Sequence, residues 1–349
     1  MNKTASRRIG PQILLPVVAL AIALAVPALA GSNQHTMLLA ITVLIYSALA
    51  TAWNIISGMG GQLDFAAGAY LGLGAFTAGT LLIRWNVTPW IGMILGGLLA
   101  SAVAAIIGYS LFLFGVKEIW YSLASAALVE VFRAGFTVWN SIGGPEERYL
   151  PTYSDSLFRS LYTMRFRSYI PYYYITLAVV LISLVVNIRI KNSKLGYYLV
   201  ALGQNEDAAE VLGVDARACK LKALAIYAFL GGVIGGIYAC LYGFIHSAFF
   251  STPLSTEVAI LGIVGGMGIT YGPLVAGIIL VSGREYLRVY LSTQMQSLYL
   301  GVYAVVLILV VIFRPEGITT IFTDAYAMLV GRLTRSRRLD GEAGGRDAA

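Results

Sequence analysis

Apolar residues in this chain come in long unbroken runs. They show neither the alternation of a half-buried strand nor the three-to-four spacing of a surface helix. The runs cover roughly 13–30, 36–57, 62–83, 89–115, 119–139, 172–190, 221–246, 255–269, 273–291 and 297–313. A helix needs about 20 apolar residues to cross a hydrocarbon core. Lipid offers backbone groups no partners, so each run reads as a helix that satisfies its own. A membrane β-barrel would instead need short segments alternating apolar and polar positions. The expected fold is all-α, a polytopic membrane helical bundle of about ten transmembrane helices, or eight to ten given two irregular stretches. The first, Ser57 to Gly79, carries glycines at 58, 60, 61, 68, 72, 74 and 79 around a lone Asp64 and reads as a broken or re-entrant helix. In the second, 255–291, Gly268-Ile269-Thr270-Tyr271-Gly272-Pro273 divides the run into two short spans.

Composition agrees. Hydrophobic residues are 58% and charged residues 12% of the 349, against about 25% charged in a soluble domain. The net charge of +7 does not point to nucleic acid, because the basic residues lie between apolar runs and at both ends. That is the pattern of cytoplasmic loops. With Lys3, Arg7 and Arg8 inside, alternation places 191–220 in the cytoplasm, where Arg189, Lys191, Lys194, Arg217, Lys220 and Lys222 gather. It also places Arg314 and the arginines at 332, 335, 337 and 338 inside, so both termini are expected to be cytoplasmic. Residues 1–10 are then a cytoplasmic N-terminus, and 11–318 the membrane domain with a cytoplasmic loop 191–220 and an external loop 140–170. Residues 319–349 form a charged tail that reads as partly disordered. Ala28-Leu29-Ala30-Gly31 resembles a signal-peptidase site, so 13–30 is either a cleaved signal peptide or, as the many later spans favour, a retained helix. Pro171-Tyr172-Tyr173-Tyr174 reads as an interfacial belt.

Glycines four apart (68/72, 92/96, 231/235, 232/236, 262/266) predict close helix packing. Cys219 and Cys240 read as structural. His35 and His246 read as structural or interfacial, with no spacing for a metal. Within 191–220, Asn205 can cap a helix of about two turns that holds Glu206, Asp207, Ala208, Ala209, Val211 and Leu212 and ends at Gly213. Ala208, Val211 and Leu212 share one face. A helix this short needs a partner surface, either a groove on another protein or its own membrane domain. Membrane-embedded charges point to a transport path. Glu130 and Arg133 can pair with each other. Asp64 is either a water-facing helix-end cap or a contact for solute or ion, and Glu257 reads as a helix-dipole partner. Trp53, Asn54, Asp64 and Glu130 are the candidate path residues.

Asp207-Ala208-Ala209, three residues, then Gly213 resembles the EAA loop of bacterial ABC importer permeases, with Asp for the usual Glu. Several further segments are similar to branched-chain amino acid permeases of the LivM type. They are Trp53-Asn54-Ile55-Ile56-Ser57-Gly58, Gly143-Gly144-Pro145, Ala208 to Val214, the glycine-rich Ala228 to Ala239, Gly262 to Pro273, and Phe313-Arg314-Pro315-Glu316-Gly317. The resemblance spans about 36–318. It implies a permease subunit carrying branched-chain amino acids, or a related amino acid, amide or carboxylate, across a bacterial inner membrane. It also implies a second homologous permease, two ABC ATPase subunits holding ATP-Mg, a periplasmic solute-binding protein, and a 206–213 helix that docks on the ATPase. Gln62-Leu63-Asp64-Phe65-Ala66-Ala67 and Lys117-Glu118-Ile119-Trp120 depart from the family pattern, and the usual Leu-Pro after the EAA region is absent, which bears on the substrate more than on the class.

No glycine is followed directly by lysine, so the chain lacks a P-loop, and ATP hydrolysis is expected in a separate chain. An ion-coupled secondary transporter is the alternative, but the inverted repeats it would show are not evident. An intramembrane enzyme would need a catalytic constellation that the runs lack.

Overall fold

The computed structural model describes residues 20–28, 33–116, 118–142, 145–152, 156–291, 298–313 and 317–319. The basic residues at 3, 7 and 8, the Gly143-Gly144 pair, Arg314 and the tail beyond 319 lie outside the described residues.

Each apolar run is mostly helix where it is described. Helix α1 covers 20–28. Asn33 caps α2 (Gln34–Trp53), which runs on through one π-helical turn, Asn54–Met59. Then follow α3 (Ala67–Trp85), α4 (Pro89–Leu113) and α5 (Glu118–Val138). The expected span from 62 starts only at Ala67, because 61–66 is irregular chain. In the 140–170 region a short helix α6 (Leu157–Thr163) and strand β1 (Arg148–Tyr149) form, β1 pairing antiparallel with β2 (Phe244–Ile245). Helix α7 is Ile170–Lys191. The stretch expected as a loop after it is mostly helical, with α8 (Lys194–Gln204), α9 (Glu206–Val211) and the start of α10 (Ala216–Tyr242). The divided stretch gives α11 (Thr252–Gly265), then α12 (Gly272–Ala276), a π-helical turn and α13 (Ser282–Leu291); α14 is Leu298–Phe313. Among the described residues, five stretches are long and apolar enough to cross a membrane: Gln34–Met59, Pro89–Leu113, Ile170–Lys191, Ala216–Tyr242 and Ser247–Gly265.

The centre is α3, α4 and α10, packed backbone to backbone. A β-carbon on Gly232 would lie 2.7 Å from the Gly96 carbonyl oxygen and 2.8 Å from Gly97 Cα. Small residues let helices approach where lipid supplies no hydrophobic drive. The outward faces of α4, including Ile91, Ile94 and Leu98, and of α14, including Ile308 and Ile312, are apolar and exposed, as lipid contact requires.

Polar contacts gather at two opposite ends. At one, Lys191 Nζ donates to the Gly268 carbonyl at 2.8 Å, and Asn54 joins the turn after α11. At the other, Thr88 Oγ1 and Trp90 Nε1 donate to the carbonyls of Tyr162 and Leu161. The link from α10 to α11 does not stay at that second end. It descends along α3, with Ile245 beside Gly79, Phe250 beside Gly72 and Ser251 beside Gly68. Eleven residues of α3 measure about 16 Å, so α11 begins well inside the molecule.

The tyrosines at 172–174 correct the expected belt. Tyr172 is buried and donates to the carbonyls of Met164 at 2.8 Å and Cys240 at 3.0 Å. Tyr173 is buried too, donating to Ala23, and only Tyr174 is exposed. Both hydroxyls reach interior carbonyls, so these rings fasten helices together.

Candidate functional site

Helix α9 is built by its caps. The Asn205 side chain accepts from the Ala208 amide at 3.0 Å, satisfying one open donor of the first turn. At the other end Val214 N–H donates to Ala209 O and Gly213 N–H to Glu210 O, at 3.1 and 2.9 Å. This pair of bonds closes a Schellman turn, which places Gly213 at φ +89°, a region glycine adopts without penalty. Ala209 faces inward. The predicted face of Ala208, Val211 and Leu212 points outward, with Val211 87% and Leu212 85% exposed.

One ion pair ties α9 to the membrane helices. Lys220, buried on α10, places Nζ 2.8 Å from a Glu206 carboxylate oxygen and 5.8 Å from the Phe112 ring centroid on α4. Asp215 caps α10 through the Ala218 amide at 2.9 Å, so the turn from α9 into α10 is bonded on both sides.

The candidate path residues separate into two places. Trp53, Asn54 and Asp64 are fully buried together. Trp53 Nε1 donates to the Asp64 carbonyl at 2.7 Å. The Asn54 amide accepts from Gly268 N–H at 3.0 Å and donates to the Ile269 carbonyl at 3.2 Å. Asp64 does not cap α3, whose N-cap is Ala66; it accepts from the Ala66 amide at 2.7 Å in the turn just before α3, and it does not face water. The hydroxyls of Tyr121, at 2.8 Å, and Tyr70, at 3.5 Å, take water's place on its second oxygen. Glu130 lies elsewhere, midway along α5 and about half exposed. It accepts from Arg133 Nε at 2.8 Å and from Thr252 Oγ1, at the start of α11, at 2.6 Å. A charged pair at this depth faces protein or water rather than hydrocarbon.

A bundle with apolar lipid-facing helices, a capped helix on one end and a polar seam at mid-depth is the build of a transport subunit, and comparison with known proteins decides which. Residues 36–311 match the family described as the permease component of branched-chain amino acid transport systems. The chain belongs to that family. The high-affinity branched-chain amino acid transport system permease protein LivM of Escherichia coli (strain K12) is 26% identical over 339 residues, 88% of this chain and 78% of that protein. LivM of Salmonella typhimurium (strain LT2) is 25% identical over 341 residues, again 88% and 78%. No solved structure matches. The chain is thus a multi-pass membrane permease of the ABC importer class, a transport subunit.

Two features of this permease were not read from its sequence. The sequence groups Lys220 with the loop charges, whereas it is the buried partner of Glu206. Glu257, expected as a helix-dipole partner, sits in the second turn of α11 and pairs with Arg284. Arg284 also meets Glu285 at 2.9 Å, and Glu285 meets Arg288 at 2.9 Å. The spacing of 285 and 288 on one helix is a readable signal; Glu257 and Arg284, 27 positions apart, show none.

Proposed function

We propose that this permease forms the membrane path of a bacterial inner-membrane importer for branched-chain amino acids, and that α9 is its docking helix for an ABC ATPase. The bundle has about ten spans, with both termini in the cytoplasm. Two ATPase subunits hold ATP-Mg, a second homologous permease completes the path, and a periplasmic binding protein delivers solute. The observation that carries the docking role is α9 itself. It is closed at both ends by its own hydrogen bonds, yet presents Val211 and Leu212 almost wholly to solvent. Exposed apolar side chains on a rigid short helix suit a partner's groove. Lys220 gives motion of that partner a direct route into α10 and α4.

The path reading rests on α5 and the start of α11. Glu130, Arg133 and Thr252 form a polar seam on the outward side at mid-depth, where a second permease would close it off from lipid. Trp53, Asn54 and Asp64 shape the broken segment behind it. Docking is tested by Val211→Asp with Leu212→Asp in the complete transporter. Both side chains are exposed, so stability should change by no more than about 0.5 kcal/mol. Co-purification of the ATPase and ATP-driven leucine uptake should both be lost. Normal uptake with normal assembly would remove α9 from the docking role.

A further inference from the structure

Helix α6 is turned the wrong way round for a helix that meets water. Ser160 and Thr163 are buried, while Phe158, Leu161 and Tyr162 point outward, Phe158 81% and Leu161 54% exposed. The spacing of 158, 161 and 162 puts all three on one face. A cluster of large apolar side chains on an exposed face marks a contact with something other than water.

The hydrogen bonds of α6 fix the level at which that face lies. The Tyr162 hydroxyl donates to the Asn86 carbonyl at 2.7 Å, where α3 ends. The Tyr162 carbonyl accepts from Thr88 Oγ1 at 2.6 Å, just before α4 begins, and the Leu161 carbonyl accepts from Trp90 Nε1 at 2.9 Å. Trp90 heads the exposed stripe of α4 that continues through Ile91, Ile94 and Leu98. Helix α6 therefore sits at the edge of a surface that faces lipid, and its apolar face extends that surface around the α3–α4 turn. Trp85, the last residue of α3, is 67% exposed at the same turn. Rings with an apolar body and a polar tip gather where hydrocarbon meets water. Toward α4 the patch has no polar rim of the kind that surrounds a protein interface; it runs directly into Ile91 and Ile94.

The same edge is basic. Arg84, beside Trp85, and Arg159, beside Phe158, are exposed, and neither joins an ion pair among the described residues. A guanidinium presents a fork of donors that fits phosphate oxygens.

We infer that α6 lies in the headgroup layer of the bilayer, with Phe158, Leu161 and Tyr162 against the headgroup ends of the lipid chains and Arg84 and Arg159 on the phosphate of an anionic lipid. The aromatic belt expected at 172–174 is then supplied by Trp85, Trp90 and Tyr162. The inference needs the membrane residence of the family and no particular solute.

The test places an NBD fluorophore on Phe158→Cys in the complete transporter, in a background without Cys219 and Cys240. The protein is reconstituted in phosphatidylcholine nanodiscs carrying increasing amounts of phosphatidylglycerol or phosphatidylcholine with a nitroxide on the chain near the headgroup. Both lipids should quench the label. The phosphatidylglycerol should do so at a mole fraction about fivefold lower or more, the worth of one basic side chain at the surface. With Arg84→Gln and Arg159→Gln together, the two lipids should quench alike. Leu161→Cys gives a second label position on the same face if Phe158→Cys assembles poorly. A label that neither lipid quenches, or that both quench equally while the arginines are present, would overturn the inference. So would a preference for phosphatidylglycerol that survives the double arginine change. A label untouched by either lipid but shielded by added solute-binding protein would give the face to a protein and overturn it too.

Discussion

At the scale of single residues, α9 depends on two atoms more than on its apolar side chains. Asn205→Ala removes the carboxamide oxygen that accepts from Ala208, and loss of such a cap costs about 1 kcal/mol. Asn205→Asp keeps an acceptor in place. The alanine variant should therefore bind its ATPase more weakly while the aspartate variant binds normally, as read by co-purification across a salt series. Gly213→Ala acts through the backbone alone, because a β-carbon there meets nothing within 4 Å and only the positive φ resists it. The strain is about 1–2 kcal/mol and should fall on α9 rather than the bundle, giving a lower ATPase affinity at an unchanged melting temperature. Lys220 is a different case. Removing one partner of a buried ion pair costs about 3–5 kcal/mol, reduced here because Glu206 remains 22% exposed. Lys220→Met should lower thermal stability, and the double change with Glu206→Gln should recover part of the loss. Additive effects in that cycle would mean the pair does not couple α9 to α10.

At the scale of elements, the sequence was most legible where its signals are local. Asn205 and Gly213 bracket α9 within a few residues, and the observed helix ends where they place it. The Gly268–Pro273 turn likewise separates α11 from α12. Hydropathy, by contrast, distinguishes lipid from water but not lipid from protein interior. That is why Tyr172 and Tyr173 read as interfacial although their hydroxyls reach interior carbonyls. It is also why hydropathy does not distinguish a water-facing Asp64 from the buried one observed, whose partners are Tyr70 in the first turn of α3 and Tyr121 on α5. The descent of 244–251 along α3 was invisible for the same reason, since nothing in a short aromatic link says which helix it follows. The glycine spacing did foretell where backbones meet, and it carries an element-scale prediction. Gly232→Val would put a branched side chain against the Gly96 carbonyl and Gly97 Cα. Overpacking costs about 1–3 kcal/mol or more, and here it separates α10 from α4, so the purified transporter should melt several degrees lower. An unchanged melting curve would mean that α4 and α10 do not meet at this glycine.

At the scale of the whole molecule, the permease has to reconcile a lipid-facing surface with a charged one. The exposed faces of α4 and α14 carry no charged side chain among the described residues, but α5 presents Glu130 and Arg133 together with Ala127, Ala134 and Gly135 on its outward side. Small residues favour close approach to another helix, and charges at this depth exclude lipid. On the proposed function, the α5 face would lie against a second permease, with the Glu130–Thr252 hydrogen bond joining it to the inner end of α11. Cysteines introduced at Ala127 and Ala134, in a background without Cys219 and Cys240, should form disulfide crosslinks to cysteines on the partner permease in native membranes. A cysteine at Leu98, on the exposed apolar face of α4, should not. If α5 also lines the path, crosslinking yield should change when ATP is bound, because a path that alternates must alter the spacing of its walls. Glu130→Gln should then slow uptake while leaving ATPase assembly intact, since Glu130 is distant in the chain from α9 and shares no contact with it among the described residues. Equal crosslinking from α4 and α5, or full uptake by Glu130→Gln, would place the path elsewhere.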